Sequence, residues 1–258
     1  MPAIDPSRLE KQIQEILQRA DEPLEFSRMC VDLFEFYGDR TKRTLDVYDD
    51  HRVLHVPRPV VRQLSAAIEK TKFDDEESWR KTAESLWGYE YRELRALAAV
   101  VLGSHARLEV LTMAEAWATM CDDIQVVISV ASAGLRSYRA QVPSELFEAI
   151  DGWLDSDNSN VRHLGLQALL AFLEGGENEH IPTILLTLRG SSDRARGESW
   201  KTLRVLVEEL AVRSPPEATR FLLDEMEDGS KGTERLVRTI LESFPEVHRS
   251  RLRNAIEN

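Results

Sequence analysis

The residues whose types and spacing could do chemistry are concentrated in a basic run from Arg189 to Arg204. Arg189, Arg194, Arg196, Lys201 and Arg204 face only Asp193 and Glu198 there, five cations against two carboxylates. On a helix Arg196 and Trp200 are i,i+4 neighbours, as are Trp200 and Arg204, so one stripe presents guanidinium, indole and guanidinium in turn. Such a ridge can hold phosphates and stack on bases. The same residues equally fit an arginine lying on an exposed tryptophan with partners in the next helical repeat. Arg249, Arg251 and Arg253 form a second cluster, read as part of a solvated terminal helix. His51 and His55 have the spacing of two metal ligands, but the glutamate of an HExxH helix is missing and the segment is irregular, so no metal site is expected. The chain has no GxxxxGK, no GxGxxG and no GxSxG. Nucleotide-dependent and serine-hydrolase chemistry are therefore without support, and no cofactor is expected.

These side chains must be carried by helices. Leu9, Ile13, Ile16, Leu17 and Ala20 recur at helical spacing, as do Leu94, Leu97, Ala98, Val101 and Leu102, then Val161, Leu164, Ala168 and Phe172, then Leu203, Val207, Leu210 and Ala211. Pro57 and Pro59, Gly103-Ser104, Pro143-Ser144, Asp157-Asn158, Gly175-Gly176, Ser191-Ser192, Pro215-Pro216 and the stretch 228–232 punctuate the pattern, with the glycine pair read as a helix C-cap. The spacing predicts about a dozen helices of roughly 10 to 18 residues. Helix pairs of this length cannot bury their apolar stripes alone, so the expected fold is all-α, an α-α superhelix (solenoid) of HEAT-like repeats whose inner helices line a concave surface. One domain over 1–258 is expected, with cap helices and a polar connection at 1–56, helical-pair repeats at 57–227 and cap helices at 228–258. Pairs are drawn at 58–87, 89–118, 121–154, 158–189 and 193–227.

Composition narrows the function classes. Hydrophobic residues are 42% and charged residues 30%, with 12 glycines and 10 prolines, the balance of a folded helical protein. The longest apolar run is Ala96 to Leu102, far short of a bilayer span of about 20 residues. The N-terminus reads as an amphipathic helix after Pro6 with no signal peptide, and Cys30 and Cys121 as reduced, buried thiols, so a cytoplasmic protein is expected. A net charge of −12 weighs against DNA binding. It leaves room for a local basic stripe acting within a Debye length of about 10 Å.

Three stretches, HVPRPVVRQLSAAI, ESLWGYEYRELRALAAVVLGS and IDGWLDSDNSNVRHLGLQALLAFL, resemble the AlkD-like DNA alkylation repair family, part of a superfamily of HEAT-like repeat DNA glycosylases. The similarity runs over about residues 15 to 240. It implies duplex DNA on the concave face and excision of N3- or N7-alkylated purines. Losing a cationic base leaves an oxocarbenium-like sugar, which a nearby carboxylate stabilises by several kcal/mol in a dry site. Carried onto this chain, the family's motif falls on TMAEAWATMCDDIQVV, with Trp117 as an aromatic and Asp122 as the catalytic carboxylate, or Asp123 if the register slips by one. Read without the resemblance, the aspartate pair is a helix N-cap and Trp117 is core, as are Trp79, Trp87 and Trp153.

The chain departs from the family at three aromatic positions. Ala118 stands where a second tryptophan is expected. Val205 or Arg204 aligns with the tryptophan of a later inner helix, leaving Trp200 as the substitute. After Ser156-Asp157-Asn158, an aromatic is missing from Asn160-Val161-Arg162-His163, where Arg162 or His163 supplies the cation. These departures make the chain a candidate DNA N-glycosylase whose activity is weak or lost, with Trp117, Arg162, His163, Arg196, Trp200 and Arg204 as DNA contacts. The alternative is a non-catalytic scaffold that binds a protein partner in the same groove. Convergence of Arg136, Arg139, Arg162, His163, Arg196 and Arg204 on one stripe would favour DNA, whereas a lining of carboxylates would favour the scaffold.

Overall fold

A computed structural model describes residues 4–39, 52–71, 73, 76–174 and 178–257, and is helical nearly throughout. His51, Gly175 and Gly176, named above for a metal pair and a helix C-cap, lie outside the described residues. In chain order the helices are α1 (Pro6–Leu17), α2 (Pro23–Tyr37), α3 (Arg58–Ile68), α4 (Glu76–Trp87), α5 (Arg92–Leu102), α6 (Leu108–Met120), α7 (Ile124–Ser129) and α8 (Arg136–Gln141). There follow α9 (Pro143–Asp155), α10 (Ser159–Glu174), α11 (Ile181–Thr187), α12 (Ser191–Arg194), α13 (Gly197–Arg213), α14 (Pro215–Glu227), α15 (Lys231–Ile240) and α16 (Glu246–Glu257). Among the described residues twelve of these have ten residues or more, and the fold is all-α. The one pairing of extended backbone there is an isolated bridge between Arg52 and Tyr91. No helix among the described residues is long and apolar enough to cross a membrane.

Local sequence explains where helices begin. Asp5 accepts hydrogen bonds from the Ser7 and Arg8 amides at 3.0 and 3.2 Å, Pro6 occupies the first turn, and Leu9, Ile13 and Ile16 then fall on the buried side of α1. Asn158 starts α10 in the same way, accepting from Asn160 and Val161 at 2.8 and 3.3 Å. Segment 52–56 has no helix to satisfy its backbone. The Glu93 carboxylate does so, accepting from the Leu54 and Val56 amides at 3.0 and 3.3 Å.

The chain divides into two compact units. The first comprises Met1–Ala114 and Cys121–Gln141. In it α2 packs on α4, α4 on α5, and α5 on α3, on α7 and on the single π-helical turn Val130–Gly134 that follows α7. Gly103 lies where the chain passes the Ala133 carbonyl, and a Cβ there would collide with it. The second comprises Glu115–Met120 and Val142–Asn258. Its helices form two rows: α10 packs on α13 and α13 on α15, while α9 packs on α11 and α11 on α14. The rows join through α9 on α10, α13 on α14 and α14 on α15. The pairing drawn at 158–189 is thus replaced by 143–174, because α10 buries its apolar side against α9 and α13.

Candidate functional site

Helix α6 ends at Met120 and α7 begins at Ile124, leaving Cys121, Asp122 and Asp123, which belong to the first unit, as the connection. Asp123 is the N-cap: its carboxylate accepts from the Gln125 amide at 2.9 Å and from Arg92 Nε at 2.5 Å, and the residue is 5% exposed. A buried carboxylate satisfied on both sides is a structural anchor. Asp122 is exposed and makes no side-chain hydrogen bond or ion pair among the described residues. The capping expected of the pair therefore belongs to its second member. Cys121 is buried, and burial raises its thiol pKa, which keeps it protonated and inert. Nearby on α5, the Arg95 guanidinium lies 5.1 Å from the centroid of the Trp87 ring.

Arg136 and Arg139 of this unit are already engaged. Arg136 pairs with Glu69, and Arg139 donates to the carbonyls of Ala131 and Ser132 at 3.4 and 3.0 Å.

In the second unit, Trp117 is 5% exposed and Ala118 fully buried, so this turn of α6 faces into packing. Trp153 is buried as well, its indole N–H donating to Glu115 at 3.1 Å. Arg162 donates to the Ser156 carbonyl at 2.6 Å and so ties α10 to the turn before it. His163 is 2% exposed, inside the packing of α10 on α13. Its ring nitrogens lie 3.5 Å from Thr202 Oγ1 and 3.5 Å from Gln167 Nε2, and Gln167 also donates to Thr202 at 3.0 Å. Burial lowers the His163 pKa to about 4, with Glu198 opposing. His163 is thus neutral at pH 7 and presents no charge to a phosphate.

The α13 ridge differs from the expected stripe in one partner. Trp200 is half-buried, and the guanidinium carbon of Arg235 on α15 lies 3.9 Å from its ring centroid. Arg204, the expected neighbour, leans toward Glu208 with 3.9 Å between Nε and the carboxylate. Lys201 pairs with Glu198 at 2.5 Å and Arg238 with Glu234 at 3.3 Å. Arg196, at the N-cap position of α13, is exposed and donates only to the Ala195 carbonyl, at 2.7 Å. Among the described residues Arg235 and Lys231 make no ion pair at all.

Sequence reasoning missed Lys231 and Arg235. Their i,i+4 spacing in KGTERLVRTI was readable, but the contact joins residues 35 apart and depends on packing. Among the described residues no group of three or more histidine, cysteine and acidic side chains could hold a metal ion.

The family model of the DNA alkylation repair enzyme matches residues 36–196, a span that contains Trp117, Asp122, Arg162, His163 and Arg196 and stops short of Trp200. No curated protein and no solved structure matches the chain. With more than half of its length matched by that model, the chain belongs to the DNA alkylation repair enzyme family.

Proposed function

We propose that the protein is an AlkD-like member of this family that binds duplex DNA and weakly releases N3- or N7-alkylated purines, with Asp122 as the carboxylate beside the reacting sugar. Family membership carries the reading. The base of such a lesion is already cationic and leaves without a proton donor, so one carboxylate facing the developing oxocarbenium charge is the main requirement. Asp122 is the exposed member of its pair, whereas Asp123 is consumed by Arg92 and by the cap of α7.

The weakness follows from the aromatics. A cationic base gains roughly 0.5 to 2 kcal/mol from an open ring face. Trp117 is buried, Ala118 has no ring, and Arg235 covers a face of Trp200.

The test is release of alkylated purine from methylated duplex DNA, together with binding of an abasic duplex at low salt beside an acidic control protein. Release above the uncatalysed rate and binding tighter than the control are expected. Binding without release would remove the catalytic half, and the absence of both would end the reading.

A further inference from the structure

The cations of α13 and α15 fall into two groups. Lys201, Arg204, Arg213 and Arg238 each have a carboxylate of their own helix within 4 Å, at Glu198, Glu208, Glu209 and Glu234. Arg196, Lys231 and Arg235 have none among the described residues. Arg196 precedes Trp200 by one turn and Lys231 precedes Arg235 by one turn, so the cations without carboxylate partners flank the point where α15 meets the indole.

This junction is rigidly built. The Ser192 hydroxyl lies 3.0 Å from that of Ser230 and 2.7 Å from that of Thr233, Ser230 and Thr233 are themselves 2.8 Å apart, and all three residues are buried. Asp193 accepts from the Gly232 amide at 2.7 Å. Gly232 is required there, because a Cβ would run into the Ser192 carbonyl. Together these contacts fix the first turn of α15 against the residues that lead into α13, and with it the height at which Arg235 meets Trp200. The guanidinium carbon lies over the indole ring, and the guanidinium N–H groups have no hydrogen bond among the described residues, which leaves them able to take a phosphate oxygen.

We infer that Arg235, held on Trp200 and assisted by Lys231 and Arg196, is a contact to the phosphate backbone of duplex DNA, and that Trp200 is a positioning residue for it and not a platform for a base. The inference rests on the proposed DNA binding and assigns part of that surface to α15, beyond the span that the family model matches. A cation already neutralised by a carboxylate releases few counterions when it meets phosphate, whereas an unpaired one releases about one.

Affinity for a duplex carrying an abasic site is measured between about 50 and 200 mM salt for the wild-type protein and for Arg235→Ala, Trp200→Ala, Trp200→Phe, Arg235→Ala/Trp200→Ala and Arg220→Ala. Arg220, 86% exposed on α14 and beside Asp224, is the control for loss of charge alone. Arg235→Ala should weaken binding roughly fivefold at low salt and reduce the slope of log affinity against log salt by about 0.9. Trp200→Ala should weaken it several-fold, Trp200→Phe should restore most of that, and Trp200→Ala should add little once Arg235 is gone. Wild-type binding with an unchanged slope in Arg235→Ala, or with an equal effect from Arg220→Ala, overturns the inference and leaves the proposed function standing. A Trp200→Ala loss that persists in the Arg235→Ala background overturns the positioning role. No wild-type binding to DNA at all, even where a protein ligand is found for the same face, overturns both.

Discussion

The turn around Asp122 and the junction of α13 with α15 are both polar places in a helical core, but they are built by opposite rules. At the first, the buried carboxylate is committed, Asp123 to Arg92 and to a helix cap, which leaves Asp122 as the exposed member of the pair. At the second, carboxylates are assigned to some cations and withheld from others, and Arg235 rests on an indole. Commitment of one carboxylate leaves its neighbour exposed. Selective withholding leaves a surface able to meet an anion, which is how a molecule of net charge −12 can still offer phosphates a favourable patch.

The strongest way to break the comparison is to remove the group that the first region leaves exposed. Asp122→Asn keeps size and most hydrogen bonding but removes the charge, and should lower alkylpurine release by about 10²- to 10³-fold, the usual cost of losing one electrostatic stabiliser. Affinity for abasic duplex should change less than twofold. Asp123→Asn should instead act through stability, so a rate loss in that variant without unfolding would move the catalytic role to Asp123.

A second prediction uses pH. His163 is held near a pKa of about 4 in the fold, against about 6.5 in an unfolded chain, so between those values the unfolded state binds the extra proton. Stability is therefore unaffected by this residue above about pH 6.5 and falls as pH drops toward 4, by on the order of 3 kcal/mol in total. Urea unfolding from pH 7 to 4 should show that loss, and His163→Gln should flatten it. An equally steep loss in the variant would assign the acid sensitivity elsewhere.

Next in size is the buried pair. Arg92→Leu leaves the Asp123 carboxylate buried without its counterion and should cost about 2 to 4 kcal/mol by urea unfolding, somewhat below a fully buried pair because Arg92 is 30% exposed. Adding Asp123→Asn should recover part of the loss. If Arg92→Leu costs nothing, the commitment of charges in this region is only apparent.

How much of this was legible in the sequence depends on how local each signal is. The long helices were readable because apolar spacing and proline starts are local, as α1 and α9 show. Within the pair drawn at 121–154 the one break read from sequence is Pro143-Ser144, but residues 124–141 form α7, a π turn and α8. The π turn lies where small residues, Ala131 to Gly134, let α5 approach at Gly103, and no pattern within the segment encodes that approach. The aspartate pair was recognisable as a cap, but adjacent identical residues cannot tell which member turns inward, and Arg92, 31 residues away, decides for Asp123. Trp200 stood out by its i,i+4 spacing to Arg196 and Arg204. The arginine over its ring is Arg235 of α15, while Arg204 has Glu208 one turn ahead on its own helix.

The smallest effects sharpen the comparison most. If the division between paired and unpaired cations is real, removing a paired one should hardly matter. Lys201→Ala should change stability by less than about 0.5 kcal/mol and DNA affinity by less than twofold, because its ammonium already has Glu198 and both side chains are well exposed. The converse is more telling. Glu234→Gln frees Arg238, one turn beyond Arg235 on α15, and should strengthen duplex binding about twofold at low salt and steepen the salt dependence, a gain that fades by about 200 mM. A carboxylate whose removal improves binding is a carboxylate that was masking a phosphate contact. Glu234→Gln with no effect on affinity or slope would mean that Arg238 points away from the nucleic acid, and would confine the surface to Arg235 and the residues before it.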